Sequence, residues 1–97
     1  MMSTHKQTLP PRFEKAAHEW LAGREGLFAA RALAIARCSI KHLIPVFGQK
    51  LLCDITPKAI EAYQWKRIGE GVPYSVVNIE VRLLLQILKA NVVGSTP

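Results

Sequence analysis

At 97 residues the chain suits one domain and leaves little room for a second. Residues that can build a core make up 49% of it and charged residues 21%, which argues against disorder throughout. Thirteen Lys and Arg stand against seven Asp and Glu, a net charge of +6 that favours a polyanionic partner without choosing among DNA, RNA and an anionic membrane.

Residues 1–11 are polar and end in Pro10-Pro11. They lack the apolar stretch of a secretory signal and read as a disordered tail. No apolar run approaches the roughly 20 residues of a membrane span. Cys38 and Cys53 belong to no CxxC motif and no Cys/His cluster, so neither zinc nor any other cofactor is expected. Both read as reduced thiols of a cytoplasmic protein, with Cys38 in a structural role.

Four helical segments follow, divided by breakers. The first is expected from Pro11 to Ala22, with Phe13, Ala16, Ala17, Trp20 and Leu21 on one face and Gly23 and Gly26 ending it. The second spans about Phe28 to Ile44. Leu33, Ala36, Ile40, Leu43 and Phe47 form its buried stripe, and Pro45 is expected to kink or break the last turn. No acid lies between Phe28 and Gln49, and Arg31, Arg37 and Lys41 fall near one flank. A connector over 49–56 tucks in Leu52 and Ile55. Thr56 as N-cap and Pro57 in the first turn then open a third helix to Gly69, with Ile60, Tyr63 and either Arg67 or Ile68 sharing a face. The fourth is expected from Ser75, as N-cap, to about Val92. Val77, Val81, Leu84, Leu85 and Leu88 form one stripe. Ile79, Leu83 and Ile87 extend it nearly around the helix, which must therefore be central. Its polar strip is Asn78, Arg82, Gln86 and Lys89. The fold class is all-α, a compact four-helix bundle over 12–92, with 93–97 a flexible tail or the start of a linker.

Catalytic chemistry needs convergent groups, and the sequence does not supply them. His5, His18 and His42 are scattered, and no nucleotide-binding or nucleophile-elbow motif occurs. Tyr63 fits a core face with its hydroxyl near the rim, and nothing beside Tyr74 would activate it as a nucleophile. The chain is not expected to act as an enzyme or to take a small-molecule substrate. DNA backbone contacts, by contrast, come from Lys, Arg, small polar side chains and helix N-termini. Tyr74, Ser75 and Asn78 at the start of the fourth helix, with Arg82 one turn on, offer all of these. Asn can also pair with adenine and Arg with guanine in a major groove. Lys66 and Arg67 form a further basic spot on the third helix, where they also suit the dipole at its C-terminal end.

In order, Phe13-x6-Trp20-Leu21, Leu43-x3-Phe47-Gly48, Leu52-x2-Ile55-Thr56, Ile60-x2-Tyr63-x3-Arg67 and Gly71-x3-Ser75-x2-Asn78-x4-Leu83-Leu84 resemble the N-terminal SAM-like, core-binding domain of phage integrases and other tyrosine recombinases. The resemblance covers roughly residues 12–90. It implies a four-helix bundle that forms half of a clamp around double-stranded DNA at the recombination core site, alongside other recombinase protomers. The second and fourth helices would face the DNA, through Arg31, Arg37 and Lys41 on one and Ser75, Asn78 and Arg82 on the other. The chain departs from the family pattern at Ala32 and Ala36, where members often carry a Ser or Thr and a Tyr. The family's catalytic domain is not expected in this chain. Two other readings stay open: a helical protein–protein module with no nucleic-acid role, and a helix-turn-helix regulator, for which the 48–56 connector is long.

Overall fold

Four apolar stripes at helical spacing become four α-helices, α1 (Phe13–Ala22), α2 (Ala30–Phe47), α3 (Pro57–Gly69) and α4 (Tyr74–Ser95). The structure is a computed structural model that describes residues 12–95 and, of these, the side chains of 12–91. The expected 1–11 tail lies outside the described residues. Among the described residues there is no strand, only an isolated antiparallel bridge between Arg12 and Leu51.

The interior is contributed by all four helices and the connector. Phe13, Ala16, Ala17 and Trp20 come from α1, and Ala36, Ile40, Leu43 and Phe47 from α2. Ile55 and Tyr63 add the connector and α3, and Val77, Val81, Leu83, Leu84 and Ile87 come from α4. Phe47 is the hinge of this core. Its ring meets Phe13 edge-on at 6.2 Å between centroids and Tyr63 at 5.4 Å, in the distance range where aromatic pairs attract. As its nearly all-round hydrophobicity demands, α4 packs against the three other helices. Two residues of its expected stripe set are nonetheless exposed, Ile79 and Leu85.

Helix ends explain most differences from expectation. Pro45 does not break α2, which continues to Phe47, with the Gly48 N–H donating to the Ile44 carbonyl at 2.7 Å. Proline removes one helical donor, that for the Lys41 carbonyl, and Pro45 is exposed, where water can serve that group instead. Ser75 is not an N-cap: α4 begins one residue earlier, and the Pro73 carbonyl accepts from the N–H groups of Val76 and Val77. The helix runs on past Val92 to Ser95, so residues 93–95 are helical rather than a tail. Thr56 does cap α3, its hydroxyl accepting from the Ala59 N–H at 3.1 Å. At the other end of α3, Gly71 takes φ +89°, and the Gly71 and Val72 N–H groups return to the Ile68 and Arg67 carbonyls, a Schellman closure that favours glycine at this position.

The first turn of α1 has no side-chain cap. Its Phe13 and Glu14 N–H groups donate instead to the carbonyls of Lys50 and Gly48, at 2.9 and 3.0 Å. The Arg12 guanidinium donates to the Gln49 carbonyl, and the Gln49 amide donates to Glu14 Oε1 at 3.1 Å. Donors that a helix start leaves free are thus satisfied by the connector after α2.

Candidate nucleic-acid interface

On α4, Ser75, Asn78, Arg82, Gln86 and Lys89 are all exposed. At 3.6 residues per turn they share a strip about 80° wide on the side away from the core. Arg82 and Lys89 have no carboxylate within ion-pair distance among the described residues. Tyr74, at the head of the helix, is 65% exposed.

Next to this strip runs α2. Arg31 is exposed and likewise has no carboxylate within ion-pair distance among the described residues. Between α2 and α4 lies an open groove of about 170 Å³. Ala32, Ile35, Ala36 and Ser39 line it from α2, and Ile79, Arg82, Leu83 and Gln86 from α4, with Trp20 and Phe28 closing one side. Ile35 and Ile79 are 44% and 42% exposed, so much of each side chain meets solvent.

The three cations expected on one flank of α2 do not stay together. Arg37 lies about 120° around the helix from Arg31, and Lys41 about 80°. Both overlook a different groove, between α1 and α2, with His18, Leu21, Ile40 and Ile44. Arg37 pairs there with Glu25 at 3.5 Å. The spot on α3 is committed elsewhere as well. Lys66 Nζ lies 2.7 Å from Glu70, and only 13% of the Arg67 side chain is exposed.

Arg67 belongs to a buried network that the sequence reading did not find. Its Nη2 and Nε bond the two oxygens of Glu80 at 2.7 and 3.0 Å, and its Nη1 reaches Glu70 at 3.0 Å. The Tyr63 hydroxyl donates to Glu80 Oε1 at 2.7 Å, so it sits inside the bundle and not at its rim. Burial pushes the Glu80 carboxyl up, but the Arg67 guanidinium and the Tyr63 hydroxyl outweigh it and hold Glu80 below the usual range. Burial and the hydrogen bond to Glu80 push the Tyr63 hydroxyl up, so it stays a neutral donor. The signal for this network was Glu80 itself: it falls among Val77, Leu84 and Ile87 on the inner face of α4, and an acid there demands a cation from a facing helix.

Both cysteines are exposed free thiols. No helix among the described residues is long and apolar enough to cross a membrane. Comparison with protein-family models, curated protein sequences and solved structures finds no match.

Proposed function

We propose that this bundle binds double-stranded DNA through the adjoining outer faces of α2 and α4, as the core-binding domain of a tyrosine recombinase of the kind its sequence resembles. The observation that carries the reading is where unpaired cations and small polar side chains fall together. Arg31, Arg82 and Lys89, with no carboxylate in ion-pair distance among the described residues, lie on the adjoining surfaces of α2 and α4 that also hold Ser75 and Asn78. Glu80, the one acid on α4, is held inside the bundle by Arg67. Free cations beside small polar side chains are the groups that contact phosphates, and Asn and Arg among them also suit base edges. In this role the domain positions duplex DNA in register. Strand cutting and rejoining belong to a catalytic domain.

A salt titration of duplex binding, followed by fluorescence anisotropy, tests the proposal. The logarithm of the affinity should fall linearly with that of the salt concentration, by about 0.9 for each phosphate neutralised. Affinity that stays constant between about 50 and 200 mM salt would remove the phosphate contacts on which the reading rests.

A further inference from the structure

The α2–α4 groove has a mixed chemistry that phosphate binding does not require. Its walls include two half-exposed isoleucines, Ile35 and Ile79, beside Phe28 and Leu83, and its rim holds Arg82 and Gln86. Ala32 and Ala36, at the positions where the resemblance leads one to expect polar and aromatic groups, contribute only methyl groups. The lining of the groove is therefore largely carbon.

Exposed apolar surface between free cations costs solvation without helping to hold a phosphate. It does match the edge of one base pair. In the major groove an A·T pair presents the thymine 5-methyl group beside the hydrogen-bonding N6 and N7 of adenine, and Asn or Gln can bond that adenine edge in bidentate fashion. An apolar pocket with Gln86 on its rim offers both halves of the match. Arg31 and Arg82 supply the charge complementarity that draws the polyanion onto this face in preference to an apolar protein partner.

We infer that the groove between Ile35 and Ile79 reads thymine: it seats the 5-methyl group while Gln86 addresses the paired adenine. The inference rests on the DNA-binding reading and adds to it a base preference and the residues that set it.

The test compares two short duplexes of alternating sequence, one of dA and dT and one of dA and dU, which differ only in the methyl group. Binding is measured at one low salt concentration and again across a salt series. The dA·dT duplex should bind more tightly, by about fourfold for each methyl group seated. The two duplexes should share one salt slope, because both offer the same phosphates. Replacing both isoleucines, Ile35→Ser with Ile79→Ser, should abolish the difference and leave the slope unchanged. Both side chains are half-exposed, and circular dichroism of the double variant verifies the fold. Equal affinity for the two duplexes, with normal salt dependence, overturns the thymine inference and leaves DNA binding intact. A methyl preference that survives in the double variant also overturns it, because the isoleucines would not be its source. Failure to bind either duplex overturns both readings together.

Discussion

Glu80 is a carboxylate inside a hydrophobic bundle, 1% exposed, and it is tolerated there because both of its oxygens accept hydrogen bonds from α3. Removing Arg67 would leave the Glu80 charge buried with only the Tyr63 hydroxyl, and removing Glu80 would leave the mostly buried Arg67 with only the exposed Glu70. Glu80→Ala or Arg67→Ala should each lower the unfolding free energy by about 3–5 kcal/mol, measured by urea denaturation. Tyr63→Phe deletes a single hydrogen bond to a charged acceptor and should cost about 1.5–3 kcal/mol. The same network sets a pH dependence. An unfolded-chain Glu titrates near about 4.3, and the folded carboxyl is held lower by Arg67 and Tyr63. The folded protein therefore binds fewer protons, so the contribution of Glu80 is complete above that pH and is lost as the pH falls through the folded value. Urea midpoints should be level from neutrality to about pH 5 and decline below it, and Glu80→Gln should flatten that decline. High salt keeps the exposed Glu70, which Lys66 and Arg67 also hold low, from contributing to the same trend.

At the level of elements, the first turn of α1 depends on a connector more than thirty residues away in the chain, and Gly48 is its tightest point. A Cβ at this buried position would lie 2.5 Å from the Ile44 carbonyl oxygen and 3.0 Å from its Cγ2. The backbone angles are ordinary, so the demand is for space and not for conformational freedom. Gly48→Ala should cost about 1–3 kcal/mol as overpacking does, and it should speed hydrogen exchange at the amides of Phe13 and Glu14. The sequence announced much of this region: Phe13 and Trp20 at seven-residue spacing, the α2 stripe, and Phe47-Gly48 as a stop. It did not announce the capping by backbone carbonyls, because no side chain takes part. Pro45 and Ser75 misled for a related reason. Each has a strong local preference, and in both places a neighbouring backbone group, the Gly48 amide or the Pro73 carbonyl, decided the helix boundary. The outward strip of α4 was legible, since polar residues recur there at helical spacing. The turn of Arg37 and Lys41 away from Arg31 was legible as well, from helical spacing alone, but the groove they overlook was not, because it depends on which flank of α2 meets α1 and which meets α4.

For the whole molecule, a net charge of +6 says less than the way it is divided. Arg31, Arg82 and Lys89 lie on the α2 and α4 surfaces, whereas Arg37 and Lys41 overlook the α1–α2 groove. A duplex seated on the first face should respond unequally to loss of these charges. Arg31→Ala with Arg82→Ala should reduce the salt slope by about one for each phosphate contact removed. Arg37→Ala with Lys41→Ala, which removes the same formal charge, should change the slope less. Equal effects from the two pairs would show that affinity follows total charge and not the surface assigned to it.

Glu80 and Arg82 stand two positions apart on α4 and point about 160° away from each other. One is fastened to α3 and the other faces outward. The buried carboxylate thereby indexes the rotation of the helix about its own axis. A roll of only about 20° would carry a side-chain tip at the helix's outer radius of about 5 Å through nearly 2 Å. That exceeds the spread of donor–acceptor distances over which a hydrogen bond holds, about 0.5 Å. The aim of the outer strip is consequently fixed by an atom that never meets solvent.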